Sequence, residues 1–466
     1  MFRKSCQTFA IKTCAEKPPL ERGHFQPYIW PMLHRPKSSP EVTEIAYLEP
    51  SLYAARLRDQ PNLTLLESVM RHEHLGRWSF LACNPSETVL GLQGLAAMRS
   101  SLSNNATSPL PGLPPFQGGY AGFISYDSGW AFQGAKHPPN FKPLCPDLIF
   151  HRYDTVVGFD HMQERAFIIG PDAAKLEKLL KRKAPPFGNH TIENWHGNFT
   201  RTDYETVIAR TVEYILAGDI FQANITQCFS ADVPKDFDTF GFYQTLRDRN
   251  PATFAAFLDY GDVKVASSSP ERLVKMQGRQ LEARPIKGTR KRDANAAHDA
   301  ALIAELQSSR KDRAENVMIV DLLRNDLSRI AKPGSVKVPV LCGLESYANV
   351  HHLVSVVEAE ARDGLDAIDL LQAIFPGGSI TGAPKIRAME VIAELEQQAR
   401  GLYCGSIGWL GFNGDADFNI AIRTALFVQD KAYVQGGGGI TARSQPAAEY
   451  EESLTKISRV MEAFKP

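Results

Sequence analysis

Hydrophobic and polar positions alternate in two different ways along the chain. From residue 41 to about 180, short apolar runs are interrupted by polar loops, including a Ser-, Asn- and Pro-rich loop from Ser100 to Pro115. Short apolar runs bounded by turn residues predict β-strands. From residue 203 onward, apolar residues also recur at steps of three and four, which predicts helices beside the strands.

Three helical stretches can be placed from this pattern. Apolar residues at helical spacing predict one or two helices over Ala296–Ile330, and the breaker Lys332-Pro333-Gly334 ends them. A further helix is predicted over Ala383–Arg400, with Pro384 at its start and Gly401 just past its end. An amphipathic C-terminal helix is predicted over Glu449–Phe464.

The other apolar runs of the second half predict strands. Cys404–Phe412 and Asp417–Val428 flank an Asn-Gly pair, which is typical of a β-hairpin. Ala432–Gln435 predicts a short strand that leads into four glycines, Gly436–Gly439. Consecutive glycines either relieve a crowded turn or let the backbone approach a ligand closely, and the sequence leaves both interpretations open.

Composition divides the chain into four parts. Residues 1–40 are irregular and Pro-rich, which predicts an N-terminal extension. Residues 41–181 form an N-terminal region, and residues 182–202 carry the Pro, Gly and Asn residues of a linker. Residues 203–466 hold every motif with recognisable chemistry, so we expect the catalytic domain there.

Charge and cysteine content exclude several classes of protein. Basic and acidic residues balance at 52 each, so no bulk polyanion is indicated and we expect no nucleic-acid partner. No apolar run approaches the length of a membrane span, so we expect no membrane partner. The seven cysteines form no Cys-x-x-Cys pair, which indicates neither a zinc site nor a disulfide framework and favours the cytoplasm.

The stretch Pro285-Ile286-Lys287-Gly288-Thr289 places a lysine on a tight turn. Four cationic residues surround it in the sequence: Arg284, Arg290, Lys291 and Arg292. Neighbouring cations lower the pKa of a lysine and free its amine as a nucleophile. The alternative is a solvated basic turn or a nucleic-acid patch.

Two acidic pairs lie at helical spacing. Asp312 and Glu315 are three residues apart, as are Glu449 and Glu452, so each pair shares one face of its predicted helix. Exposed acidic pairs usually belong to a solvated face. Two pairs on separate helices can instead converge on a hard cation such as magnesium.

A glycine-rich loop, Pro376–Lys385, opens the helix predicted after it. Free backbone N–H groups at such a helix start favour an anion. The alternative is an ordinary helix cap formed by Ser379 or Thr381.

In this order, the motifs resemble the chorismate-utilising enzymes, which include anthranilate, aminodeoxychorismate, isochorismate and salicylate synthases. The resemblance rests on Pro285–Thr289, Asp312-x-x-Glu315 with Asp321–Asp326, Gly382–Lys385 and Glu449-x-x-Glu452. It covers 203–466 and extends weakly into 41–180 through Leu65–Ser68 and Phe116–Gly122. It implies an α+β fold in which a two-sheet β-sandwich is surrounded by helices, as in the large subunit of anthranilate synthase.

Within the family, Lys287 resembles the lysine of the aminodeoxychorismate synthase group, where anthranilate synthases usually carry alanine. The resemblance implies conversion of chorismate and ammonia to 4-amino-4-deoxychorismate, a folate precursor, through a lysine-linked intermediate. Gln222 stands where isochorismate and salicylate synthases carry a water-activating lysine, which argues against water as the nucleophile. The alternatives are an anthranilate synthase large subunit and a non-catalytic chorismate- or tryptophan-sensing subunit.

The resemblance also implies roles for single residues. Lys287 would be the nucleophile and Glu271 the general acid. Glu315 and Glu452 would bind Mg²⁺ directly, with Asp312 and Glu449 supporting them. The residues expected to contact chorismate are Gln222, Gly288, Thr289, His352, Tyr403, Arg423, Gly437, Gly438 and Lys456.

Ammonia needs a source, and no glutaminase motif occurs in the sequence. Cys404 lies in a strand of the expected chorismate site rather than on a nucleophile elbow. We therefore expect a separate glutamine amidotransferase subunit as the partner. Leu65–Ser68 matches the string that holds feedback tryptophan in anthranilate synthase, and the sequence leaves open whether it binds a ligand here.

Overall fold

Two antiparallel β-sheets stacked face to face form the centre of the computed structural model. The structure describes residues 40–71, 75–138, 141–347 and 350–465. Almost all of the predicted N-terminal extension, residues 1–40, lies outside these described residues.

Eleven α-helices are found in the described part of the chain. They are α1 Pro50–Leu57, α2 Leu95–Asn104, α3 Gly129–Phe132, α4 Ala173–Leu180, α5 Arg201–Leu216, α6 Thr239–Arg249, α7 Ala296–Ser308, α8 Arg310–Ser328, α9 Ala367–Ile374, α10 Lys385–Glu396 and α11 Pro446–Glu462.

The same residues form twenty-two strands. They are β1 Val42–Ile45, β2 Leu63–Glu67, β3 Trp78–Ala82, β4 Glu87–Leu90, β5 Gly119–Ile124, β6 Leu148–Tyr153, β7 Val156–Asp160, β8 Arg165–Ile169, β9 His196–Gly197, β10 Gln222–Asp232, β11 Phe254–Tyr260, β12 Val263–Ser269, β13 Arg272–Gln277, β14 Gln280–Ala283, β15 Ile286–Lys291, β16 Lys337–Ser346, β17 Val350–Glu360, β18 Gly382–Ala383, β19 Ser406–Gly411, β20 Ala416–Asn419, β21 Thr424–Val428 and β22 Lys431–Ile440.

The strands divide into sheets of twelve and ten. The first sheet has the order β1-β8-β7-β3-β2-β11-β12-β21-β22-β10-β18, with β9 paired to β10. The second has the order β15-β17-β14-β13-β20-β19-β5-β6-β4, with β16 paired to β17. Both sheets mix strands from the two sequence regions, since β2 pairs with β11 and β5 pairs with β19.

Aromatic side chains fill the space between the sheets. Phe80 of the first sheet and Trp409 of the second have ring centroids 5.7 Å apart, and Phe123 stacks on Tyr260 at 6.4 Å. Helices α1, α4, α6 and α11 bury their apolar faces against the first sheet. Helices α2, α8 and α9 do so against the second. The expected α+β sandwich surrounded by helices is confirmed.

Most helix predictions are confirmed, but the helix predicted over Ala383–Arg400 is wrong at both ends, since Ala383 belongs to β18 and α10 begins at Lys385. The stretch 296–330 contains α7 and α8, and the C-terminal helix is α11. Helix α10 ends at Glu396 rather than Arg400, because Gln397 adopts a left-handed φ of 53°. Pro384 is its N-cap residue and no side chain caps it, so neither Ser379 nor Thr381 has the capping role considered from the sequence.

The predicted β-hairpin is confirmed for its first strand but for only the beginning of its second strand. Strands β19 and β20 do form a hairpin around Asn413-Gly414, but β20 ends at Asn419. The chain then passes to the first sheet, where Thr424–Val428 becomes β21. The four glycines are not a turn after a strand. They lie inside β22, paired along β10.

Candidate active site

A pocket of about 570 Å³ opens where the two sheets meet helices α8 and α11. Strand β15 and the neighbouring β17 provide one wall, and strands β10 and β22 provide the opposite wall. The loop before β18 and the segment around Tyr403 close the bottom. Elements that are far apart in sequence therefore meet at one cavity.

The glycines of β22 allow helix α11 and the pocket to lie against the strand. A Cβ on Gly436 would stand 2.4 Å from the Ile457 side chain on α11. A Cβ on Gly438 would stand 3.2 Å from Glu449 Oε2 and 3.3 Å from Lys456 Nζ. The glycines thus serve close helix packing at one position and access to charged groups at another.

Lys287 and Glu271 each form a hydrogen bond with Ser379. The Lys287 Nζ donates to the Ser379 carbonyl at 3.0 Å, and the Ser379 hydroxyl donates to Glu271 Oε1 at 2.9 Å. The three residues line the same pocket. An amine and a carboxyl group are therefore held next to one cavity by one serine.

Burial shifts both groups toward their neutral forms. It lowers the pKa of Lys287, and the nearby Lys456 adds to this, while Glu271 opposes it. Burial raises the pKa of Glu271, and Lys287 opposes that shift. Lys287 is partly buried and lines the pocket. Desolvation favours a free amine beside a protonated acid.

Four acidic side chains line the pocket beside basic ones. Asp312 and Glu315 project from α8, and Glu449 and Glu452 from α11. Burial raises the pKa of Glu315 and Glu449. For Glu452, burial alone would raise the pKa, but the charge and hydrogen bond of Lys456 outweigh burial and lower the pKa.

These acids have the oxygen donors that magnesium prefers. Glu315 Oε1 is buried and accepts no hydrogen bond, so it is available to a cation. Among the described residues, however, no three His, Cys, Asp or Glu side chains stand ready to hold one metal ion. The donor chemistry of the four carboxylates fits Mg²⁺, but their present positions do not form a set of three ligands.

Arg423 presents an unpaired guanidinium to the pocket. Its side chain makes no hydrogen bond or ion pair with any residue that the structure describes, and burial lowers its pKa against the pull of Glu271. It lies at a left-handed φ of 52°, where the chain changes sheets. A planar cation in this position is suited to a carboxylate.

Thr289, His352 and Tyr403 complete the polar lining. The Thr289 hydroxyl lies 2.8 Å from His352 Nδ1, and burial lowers the pKa of His352 to about 4, so the imidazole is neutral. Burial also raises the pKa of the Tyr403 phenol. Gly288 has a φ of 85°, and a Cβ there would stand 2.9 Å from Asp312 Cβ, so the turn requires glycine.

The structure brings most of the predicted site residues together. The pocket-lining ones are Glu271, Lys287, Gly288, Thr289, Asp312, Glu315, His352, Tyr403, Arg423, Gly437, Glu449, Glu452 and Lys456. Gly438 does not line the pocket but faces its acids. Gln222 does not line the pocket, and its buried side chain lies against Gly439, which does.

Sequence reasoning missed several pocket residues. Ser379 appeared only as a possible cap, and the lining residues Asn224, Gln435 and Lys311 had no assigned role. Asn224 lies two residues after Gln222 on β10, so the period of a strand could have suggested it. Nothing in the local sequence indicates a contact of Ser379 with the proposed nucleophile and acid, because Lys287 lies on β15 and Glu271 directly before β13.

With this fold and site, the chain belongs to the chorismate-binding enzyme family, whose model matches residues 76–462. It is 37% identical over 429 residues to the aminodeoxychorismate synthase component 1 of Bacillus subtilis (strain 168), covering 84% of this chain and 90% of that protein. It is 38% identical over 449 residues to the anthranilate synthase component 1 of Pseudomonas putida, covering 86% and 90%.

A solved structure of a related protein agrees with this family assignment. Anthranilate synthase component I from Streptococcus pneumoniae TIGR4 superposes with a TM-score of 0.74 at 32% identity, covering 84% of this chain and 94% of that one. Both activities therefore occur among relatives of similar distance. Within the described residues, no helix has the length and apolar character needed to cross a membrane.

Proposed function

We propose that this protein is the large component of an aminodeoxychorismate synthase, with Lys287 as its nucleophile. The observation that carries the proposal is the Lys287–Ser379–Glu271 arrangement, with contacts of 3.0 Å and 2.9 Å. Covalent catalysis by an amine needs a neutral nitrogen, and departure of a hydroxyl group needs a proton donor. Burial favours both forms in this pocket.

The reaction divides into two displacements at the ring. The Lys287 amine adds at C2 of chorismate as the ring double bonds shift. Glu271 gives its proton to the C4 hydroxyl, which leaves as water. Ammonia then adds at C4, the double bonds shift back, and the C2–nitrogen bond breaks to return the lysine. The product is 4-amino-4-deoxychorismate, which keeps its enolpyruvyl group.

Charged side chains would orient the dianionic substrate. We assign Arg423, Tyr403 and the Gly437–Gly438 backbone to the enolpyruvyl carboxylate, because the Arg423 guanidinium has no partner among the residues that the structure describes. Gly288, Thr289 and Lys456 are assigned to the ring carboxylate, and His352 to the ring. Gln222 is buried and does not line the pocket, so its assigned contact with substrate is the least direct.

Magnesium would be held by Glu315 and Glu452, with Asp312 and Glu449 in support. When bound, it supplies positive charge that neutralises the ring carboxylate. The fit rests on four carboxylates lining one pocket and on Glu315 Oε1, which accepts no hydrogen bond from the described residues. Ammonia is assigned to a separate glutaminase subunit, since the relatives carry the name component 1.

The second candidate is anthranilate synthase, favoured by the relatives of that name at 38% and 32% identity. Product analysis separates the two. Chorismate, Mg²⁺ and an ammonium salt should give aminodeoxychorismate without pyruvate, measured by liquid chromatography with mass spectrometry. Anthranilate formed together with pyruvate would overturn the proposal.

The covalent step has its own test. Wild-type protein with chorismate and Mg²⁺ but no ammonia should gain the mass of chorismate less water, and peptide mapping should place it on Lys287. Lys287→Ala should lose the adduct and most of the turnover. Lys291→Ala, an exposed lysine on the same strand, is the matched control and should keep both. If Lys287→Ala turned over chorismate at the wild-type rate, Lys287 would have only an electrostatic role.

A further inference from the structure

Three of the four carboxylates assigned to magnesium already face a basic side chain of the protein. Asp312 Oδ2 lies 3.4 Å from Arg290 Nη2, and Glu315 Oε1 lies 4.0 Å from Lys311 Nζ. Glu452 Oε1 lies 2.7 Å from Lys456 Nζ. The fourth acid, Glu449, is acted on by the charges of both lysines. The protein thus supplies nearly one cation for each acid.

The three basic residues are not equally fixed. Arg290 also binds Glu305 at 3.0 Å, so two acids anchor it. The Lys311 and Lys456 side chains are 57% and 44% exposed, and each makes an ion pair with a single acid. A lysine on a flexible stem can turn its ammonium to water at small cost. Lys311 and Lys456 are therefore the exchangeable cations of this set.

We propose that Lys311 and Lys456 are internal counter-ions that a divalent cation displaces, and that this displacement frees Lys456 for an anionic substrate. The inference rests on the proposed function, since it takes the carboxylates as metal ligands. A divalent ion on Glu315 and Glu452 would stand close to both ammonium groups and repel them. Both lysines line the pocket. Lys311, the more exposed of the two, turns to solvent, whereas Lys456 turns toward the ring carboxylate assigned to it.

This exchange links the two binding events. A metal ion that takes Glu452 from Lys456 leaves an unpaired ammonium, which a substrate carboxylate then neutralises. Substrate that holds Lys456 in turn leaves Glu452 open to the metal. Each therefore tightens the binding of the other by the same factor, as linkage requires. Lys311 has no such role toward substrate and only opposes the metal.

Direct binding of Mn²⁺, followed by electron paramagnetic resonance of the free ion without substrate, tests the proposal. Lys311→Met and Lys456→Met should each bind Mn²⁺ about threefold to tenfold more tightly than wild type, as expected for the loss of a solvent-screened repulsion. Lys311→Arg keeps the charge and should match wild type. Lys337→Met removes an exposed charge from β16 and should also match it.

The outcomes separate this inference from the proposed function. Loss of Mn²⁺ binding in Glu315→Gln and Glu452→Gln, with unchanged melting curves, locates the ion at the assigned acids. If wild type binds there but Lys311→Met binds no more tightly, the counter-ion role is wrong. If wild type binds no Mn²⁺, the metal assignment and this inference both fail, while the Lys287 adduct still stands or falls separately.

The linkage has a second readout. Chorismate should lower the Kd of Mn²⁺ for wild type, and Lys456→Met should reduce this change to the part that comes from direct attraction between the metal and the ring carboxylate. Lys311→Met should keep it. A chorismate effect that persists unchanged in Lys456→Met would overturn the linkage.

Discussion

At the residue scale, Ser379 determines how Lys287 and Glu271 meet. Its carbonyl accepts one N–H from Lys287, which leaves the lone pair of a neutral amine free. Its hydroxyl donates to Glu271 Oε1, which leaves the other carboxyl oxygen free to carry a proton. One serine thus orients the nucleophile through its backbone and the acid through its side chain.

Replacement of the acid should reduce the rate far more than binding. Glu271→Gln keeps the shape and the hydrogen bond from Ser379 but has no proton to give, so kcat should fall by about 10²–10⁴-fold with KM little changed. Steady-state kinetics with ammonium salt measure this. Ser379→Ala, which keeps the carbonyl, should lose less. Near-normal turnover in Glu271→Gln would exclude it as the general acid.

The two shifted pKa values should give adduct formation a bell-shaped pH profile. The reaction needs neutral Lys287, whose pKa is lowered, so the rate rises as pH passes that value. It also needs protonated Glu271, whose pKa is raised, so the rate falls as that acid ionises. Both limbs belong to the coupled pair. Single-turnover mass spectrometry without ammonia avoids the titration of ammonium, and a flat profile would contradict the assignment.

The sequence predicted the direction of the Lys287 pKa shift but not which cation contributes to it. The cationic neighbours in sequence are occupied elsewhere: Arg284 contacts Glu345, and Arg292 contacts Asp299 at 3.0 Å. Burial is the main cause, and the cation that acts on Lys287 is Lys456, from the other end of the domain. Burial and long-range neighbours arise only from folding, so a local motif cannot reveal them.

At the scale of elements, strand β22 contributes both to the stability of the fold and to the active site. Alternate residues of a strand face the same side, so Gly436 and Gly438 both point toward helix α11. Gly436 meets the apolar side chain of Ile457, whereas Gly438 meets Glu449 and Lys456. These two positions on one face of the strand therefore require glycine for different physical reasons.

Alanine substitutions at these two positions should distinguish the packing role of Gly436 from the active-site role of Gly438. Gly436→Ala would force a methyl group to 2.4 Å from Ile457, so it should destabilise by about 1–3 kcal/mol, measured by thermal or urea unfolding. Gly438→Ala meets only the ends of flexible charged side chains, so it should fold normally but raise KM for chorismate. The reverse pattern, a stable Gly436→Ala and an unfolded Gly438→Ala, would show that the contacts are misassigned.

Element type was more predictable than sheet membership. Local periodicity was enough for α7, α8 and α11, because an amphipathic helix carries its own pattern. The segment 417–428 was predicted as one strand, yet Asn419 ends β20 in one sheet and Thr424 begins β21 in the other. Which sheet accepts a strand depends on partners distant in sequence, and a local pattern does not contain them.

At the scale of the whole molecule, ammonia supply should depend on a partner. Because no glutaminase motif occurs in the sequence, the isolated protein should show negligible turnover with glutamine. Ammonium salts at high pH, where free ammonia is abundant, should support it. A coupled assay of product and of glutamate release measures both. Glutamate release by the purified chain alone would contradict the expectation of a separate subunit.

The last prediction concerns whether residues 203–466 can fold alone, as the compositional boundary suggests. The first sheet takes β1, β2, β3, β7 and β8 from the preceding region, and the second takes β4, β5 and β6. Without them, β11 and β19 become unpaired edges, and Trp409 and Tyr260 lose the aromatic rings that cover them. Unpaired edges beside exposed apolar surface favour aggregation.

We therefore expect a fragment of residues 203–466 to be insoluble, or to lack a cooperative melting transition by circular dichroism. Co-expression with residues 40–181 should restore a soluble complex, since the missing strands then pair in trans. The full chain is the positive control. A soluble fragment that melts cooperatively near the temperature of the full chain would make 203–466 an independent domain. The shared sheets would then contribute activity or specificity rather than the stability of the site.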